Sequence, residues 1–145
     1  MSDDWETFGD PRFAFRFRYP ALTPVGVPVR KLDYEPGDEG AVRVHVLSEG
    51  REVYFEMTRY PATTPEEEYA RHRPYLEGRW SELEITDLEE AELAGRPARR
   101  YVFRWAEGER TALLVPVDGD LYRWLYNSEL PLNSDVLATV EFVAR

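Results

Sequence analysis

Residues 101–126 read Tyr101-Val102-Phe103-Arg104-Trp105-Ala106-Glu107-Gly108-Glu109-Arg110-Thr111-Ala112-Leu113-Leu114-Val115-Pro116-Val117-Asp118-Gly119-Asp120-Leu121-Tyr122-Arg123-Trp124-Leu125-Tyr126. Tyr101, Phe103 and Trp105 alternate with Val102 and Arg104, the period of two that marks a strand. Leu113-Leu114-Val115 and Leu121 to Tyr126 are apolar or aromatic on both faces. The clusters Ala106-Glu107-Gly108-Glu109 and Asp118-Gly119-Asp120 between them are hairpin loops. An antiparallel meander results, and strands apolar on both sides need cover on both sides.

Working back toward the N-terminus, Gly95-Arg96 is a tight reversal between Glu84 to Leu93 and Pro97 to Trp105. Val42, Val44 and Val46 alternate with Arg43, His45 and Leu47, and after Ser48-Glu49-Gly50 the run Glu52 to Tyr60 closes a further hairpin. Phe13, Phe15, Phe17 and Tyr19 alternate with Ala14, Arg16 and Arg18 up to Pro20. Residues 21–40 carry three prolines and three glycines and read as a long loop, with an extended piece at Val27 to Leu32.

The cover is helical. Thr64-Pro65-Glu66-Glu67 places a capping hydroxyl, a proline at the first helical position and a glutamate three residues after the cap. A helix runs from there through Tyr69 and Leu76 toward Trp80, with Pro74 expected to end or kink it. Pro131-Leu132-Asn133-Ser134-Asp135 reads as a second cap, and Val136, Leu137, Val140 and Val143 as the stripe of a final helix. The fold class is therefore α+β: a curved antiparallel sheet of six to seven strands flanked by helices. One domain spans 1–145, with residues 1–12 a loosely packed N-terminus.

Composition bounds the function. The 145 residues hold 18 Lys+Arg against 28 Asp+Glu, a net charge of −10, with 43% hydrophobic and 14% aromatic side chains. Such a chain builds a core. Its charge repels phosphate backbones and anionic lipid, so neither nucleic acid nor membrane is an expected partner. Without Cys there are no disulfides, zinc thiolates or thiol nucleophiles. The acidic start, Met1 to Glu6, lacks the basic and apolar regions of a secretory signal, which points to the cytoplasm. With no Gln, no Cys, two Asn and two Met, the chain is depleted of thermolabile side chains, and resistance to heat is expected.

No motif specifies a reaction. The carboxylates fall in helix first turns, where they favour the dipole, or beside arginines in hairpins, and Asp118-Gly119-Asp120 is too short for a calcium loop. His45 and His72 are two histidines without cysteine partners, and read as surface residues rather than metal ligands. No serine lies in a nucleophile elbow and no glycine-rich phosphate loop occurs. No catalytic residue, metal or cofactor is expected.

Two constellations stand out. Arg96, Arg99, Arg100, Arg104, Arg110 and Arg123 could hold a carboxylate or phosphate through bidentate forks, or pair across strands with Glu84, Glu89, Glu90 and Glu92. Tyr122, Trp124 and Tyr126 share one strand face that could line a pocket or anchor a partner, or pack as core.

Phe15-Arg16-Phe17-Arg18-Tyr19-Pro20, Gly95-Arg96-Pro97-Ala98, the strand Leu121 to Tyr126 and the closing Thr139-Val140-Glu141-Phe142 together resemble the PsbP-like superfamily over residues 13 to 143. Its fold is shared with the Mog-type Ran-binding protein and with chaperones of type VI secretion effectors. The resemblance implies an α/β/α sandwich around a curved sheet and a partner-binding, non-enzymatic role. The tryptophan that often follows Tyr-Pro is absent, Ala21-Leu22 standing there.

The reading that follows is a non-catalytic adaptor domain that binds a protein partner, as a monomer or homodimer. The alternative is a carrier of a small hydrophobic or anionic ligand between sheet and helix, using Tyr122, Trp124, Tyr126, Arg104 and Arg123. A metal-independent hydrolase comes third, and it requires His45 or His72 within hydrogen-bond reach of a serine or carboxylate inside a cleft.

Overall fold

The computed structural model describes residues 5–23, 26–33, 41–49 and 53–143. Its centre is an antiparallel sheet of eight strands, β3 (Val29–Asp33), β4 (Val42–Ser48), β5 (Tyr54–Tyr60), β6 (Glu84–Ile85), β7 (Glu89–Leu93), β8 (Arg96–Trp105), β9 (Gly108–Val117) and β10 (Asp120–Tyr126). They lie in the order β3-β4-β5-β10-β9-β8, with β6 and β7 both paired to the outer side of β8. A second sheet sets β2 (Phe15–Pro20) between β1 (Trp5–Phe8) and β11 (Glu141–Phe142).

The meander forms as the turn chemistry demands. Asp118 and Gly119 have φ of 51° and 87°, and Ala94 and Gly95 have 52° and 77°. Two successive residues with positive φ are the signature of the turn whose twist matches that of antiparallel strands.

Each face of the large sheet has its own cover. Phe55, Met57, Leu113, Val115, Tyr122 and Trp124 point toward the small sheet and meet Phe8, Phe13, Phe15 and Phe17 in one apolar cluster. The other face carries Tyr101, Phe103, Ala112, Leu114 and Leu121, packed on Leu76 of helix α1 (Pro65–Arg79). Because β10 returns beside β5, the chain from β5 to β6 crosses this face, and α1 lies there.

Helix α1 runs through Pro74 to Arg79 as its span predicts, because Pro74 and Ala70, four residues earlier, are both exposed and the carbonyl that loses its partner can turn to water. The reading of the chain's two ends needs correction. The closing segment is not one helix. Helix α2 (Pro131–Leu137) ends where the Thr139 hydroxyl takes the Val136 carbonyl and the Arg18 backbone N–H, and β11 then pairs with β2. Asn133 is no cap either; it is fully buried, accepting from Tyr54 N–H at 3.0 Å and donating to the Asn127 carbonyl at 2.9 Å. Within the segment expected to be loosely packed, residues 5–8 form β1, and Phe8 stacks on Phe17 with ring centroids 4.9 Å apart.

Candidate functional site

Helix α1 leaves part of its sheet face open, and a groove of about 1000 Å³ lies between them. Its floor comes from alternate residues of three strands: Arg43 and His45 of β4, Tyr54, Glu56 and Tyr60 of β5, and Arg123 of β10. Its wall is α1, presenting Glu68, His72, Tyr75 and Leu76, and its far end is closed by Trp80, Phe103 and Trp105.

The stripe that α1 buries is Pro65, Glu68, His72 and Leu76, half of it polar. The helix is held by charge and hydrogen bonds as much as by apolar burial. Arg123, 4% exposed, donates through Nη1 to Glu68 Oε2 at 2.8 Å and through Nη2 to Glu56 Oε1 at 3.1 Å. Arg71 forks onto Glu68 from the rim, with Nε and Nη2 at 2.8 Å from its two oxygens. Arg43 lies 3.8 Å from Glu56 Oε1, while His45 Nε2 and the Tyr54 hydroxyl are 2.6 Å and 3.3 Å from Glu56 Oε2. Burial alone would raise the Glu56 pKa, but the His45 hydrogen bond and the charges of Arg123 and Arg43 bring it down to about 2.

Beside this network the Tyr101 hydroxyl meets His72 Nδ1 in a short hydrogen bond. Burial, then the charges of Arg123 and Arg71, lower His72 to about 3, so its imidazole is neutral at physiological pH. Burial pushes the Tyr101 phenol above its usual value. At the end of the groove Trp80 stacks on Trp105 at 4.3 Å and 7°, with Arg79 over Trp80 at 4.9 Å and Arg110 5.1 Å from both Trp105 and Tyr54.

The five residues singled out from sequence separate. Tyr122 and Trp124 are fully buried between the sheets, where the Tyr122 hydroxyl accepts the Ala14 N–H at 2.8 Å and Trp124 meets Phe15, Phe17 and Phe55. Tyr126 is half-buried against the same cluster. These three are core rather than pocket lining, because the face they share is the one the small sheet covers. Arg104 lies on that face too, beyond the small sheet, exposed and paired with Glu109. Arg123 alone faces the groove. Of the other arginines, Arg100 pairs with Glu89 as the strand register dictates, but Arg99 takes Glu66 of α1 at 3.0 Å instead of Glu90 opposite it.

His45 and His72 are not surface residues. Both line the groove, and His45 meets the carboxylate condition set for a hydrolase. Glu56, however, already serves Arg123 and Tyr54, and no serine among the described residues lines the groove. Among the described residues no group of three or more His, Asp and Glu could hold a metal.

Glu56, Glu68, His45, His72 and Tyr101 were missed as a site, though a signal was present. Arg123 sits between Leu121 and Leu125 on one strand face, and Glu68, His72 and Leu76 recur every four residues along α1. A charge on an apolar stripe needs a buried partner.

No protein-family model matches this chain, and no curated protein matches it by sequence. By structure it is similar to the solution structure of cyanobacterial PsbP (CyanoP) from Synechocystis sp. PCC 6803, with a TM-score of 0.68 over 98% of this chain and 94% of that one, at 11% identity. The chain has the PsbP-like fold. At 11% identity the likeness carries the fold alone. No described helix is long and apolar enough to cross a membrane.

Proposed function

We propose that this chain is a non-catalytic binding protein that holds a small ligand in the groove between α1 and the sheet. The groove itself carries the reading. Its volume of about 1000 Å³ is at the upper end of small-molecule sites, which run to roughly 1,000 Å³. Its floor is a buried ionic network, which apolar packing of the same volume often comes close to matching in stability, so stability alone is a poor reason for it. Perturbed titratable groups gathered in a concavity favour a functional site.

Binding without turnover is favoured by the inventory of the groove. Among the described residues its hydroxyl groups are those of Thr63 and of tyrosines, and Glu56 is committed to four partners. The adaptor role expected from sequence calls for an apolar docking face. The large apolar side chains that stand out among the described residues, Leu22, Tyr75 and Phe142, lie on separate elements.

Native mass spectrometry of the protein purified gently from its own host tests this. The expected spectrum shows added small-molecule mass that denaturation releases, and that a Thr63→Trp variant, which crowds the groove, does not retain. A bare chain overturns the reading, and a retained second protein chain replaces it with the adaptor role.

A further inference from the structure

The sign of charge inverts in the groove. The chain carries −10, yet among the described residues five arginines, Arg43, Arg71, Arg79, Arg110 and Arg123, line the groove against three glutamates, Glu56, Glu67 and Glu68. At the floor three guanidiniums share two carboxylates. Arg123 bridges Glu56 and Glu68, and each of those is met again from the rim, by Arg43 and Arg71. The surplus therefore falls on the two that reach solvent, whose side chains are 39% and 55% exposed. Glu67, whose carboxylate accepts the Thr64 N–H at the start of α1, keeps its charge and is outweighed by Arg79 and Arg110 on the same lining.

A neutral donor stands beside them. The Tyr101 hydroxyl is buried and protonated, and its hydrogen bond among the described residues is the one to His72. A buried hydroxyl that donates to nothing is costly, so Tyr101 donates and Nδ1 accepts. The proton of the neutral imidazole is then on Nε2, and His72, which lines the groove, brings an N–H donor to it. Tyr75 stacks on the His72 ring at 6.1 Å and 18°, and leads along α1 toward the Trp80–Trp105 pair.

Resting on the reading of the groove as a ligand seat, we infer that the ligand is an organic anion: an oxyanion head, carboxylate, sulfonate or phosphate, received by Arg43, Arg71 and His72 Nε2–H, and an apolar body along Tyr75, Trp80 and Trp105. Guanidinium forks match such heads in geometry and charge. A cation would meet the surplus positive charge.

Two probes that share a ring system separate the parts of this inference: 8-anilinonaphthalene-1-sulfonate and the uncharged N-phenyl-1-naphthylamine. Binding is followed by fluorescence and by the indole N–H resonances of the tryptophans. The sulfonate is expected to bind about tenfold more tightly than the neutral probe, to weaken about tenfold in Arg43→Gln/Arg71→Gln, and to shift the Trp80 and Trp105 signals while Trp124 stays in place. In the unaltered protein, sodium chloride should weaken the sulfonate and leave the neutral probe unchanged. Equal affinities with both groove indoles shifting would overturn the anion and leave the groove as the seat. If neither probe moves Trp80 or Trp105, the groove reading itself falls.

Discussion

Arg123 Nη1 and Glu68 Oε2 are 2.8 Å apart across the junction of β10 and α1, both almost fully buried and 55 residues apart in sequence. This bond, with the one to Glu56, ties the helix to the sheet and builds the groove floor in one stroke. It also sets how the protein will fail.

Removing Arg123 leaves two buried carboxylates facing each other without their shared cation. Arg123→Met should cost about 3–5 kcal/mol in urea unfolding. The triple variant Glu56→Leu/Glu68→Leu/Arg123→Met should recover most of that, because the rim groups Arg43 and Arg71 can turn to water. A triple variant no more stable than Arg123→Met would refute the burial argument.

Acid should destabilise the protein through two groups with the same sign. His72 is lowered from 6.5 to about 3, so between those values the unfolded chain takes up a proton that the folded chain refuses, and stability drops as the pH is lowered. Glu56 is lowered from 4.5 to about 2; its stabilisation is complete above 4.5 and is lost as pH falls toward 2. Between pH 6 and 5 His72 contributes a loss of about 1 kcal/mol. Unfolding free energies at pH 7, 6 and 5 should show that loss missing from the slope of His72→Gln; parallel slopes would count against a neutral buried imidazole.

Trp124 belongs to the core, and among the described residues its indole N–H has no hydrogen-bond partner. Trp124→Ala should cost about 3–5 kcal/mol through the cavity it opens. Trp124→Phe should cost much less, since deleting an unpaired donor offsets part of the lost contact area. Anionic probe binding should be the same in Trp124→Phe as in the unaltered chain, and a large change would return the residue to the site.

The start of α1 is held by a reciprocal pair, Glu67 N–H to the Thr64 hydroxyl at 3.1 Å and Thr64 N–H to the Glu67 carboxylate at 3.2 Å. Thr64→Ala should cost about 1 kcal/mol, read by denaturant melts. Because the cap is exposed and lies off the groove floor, probe affinity should hold.

The shortage of thermolabile side chains predicts a melting temperature above the mesophile range of about 45–65 °C. Calorimetry at neutral pH decides it, and a midpoint inside that range would trace the composition to something other than heat.

The contrast between the two helices shows what is legible in a sequence. The α1 start is readable because Thr64, Pro65 and Glu67 act on backbone groups within three residues. The Asp118-Gly119 turn is readable for the same reason, as is β10 from its run of apolar and aromatic residues; the reversal read at Gly95-Arg96 falls one residue earlier, at Ala94-Gly95, with Arg96 already paired to Leu93. The helical spacing of Val136, Leu137, Val140 and Val143 is equally local, yet it misleads, because Thr139 is captured by Arg18, 121 residues earlier, and the chain after it joins β2.

Local stereochemistry and the alternation of apolar residues thus determined the long strands of the large sheet, the turns, the first helix and the α+β class, but not β1 or β11. Tertiary structure alone decided which face of β10 is core and which is groove, that Arg123 rather than Trp124 faces the site, and that Glu56, Glu68, His45 and His72 gather around it. The reason is energetic: a charge withdrawn from water must find its counter-charge wherever the chain crossing places one, and spacing along a strand carries no record of which distant carboxylate that will be.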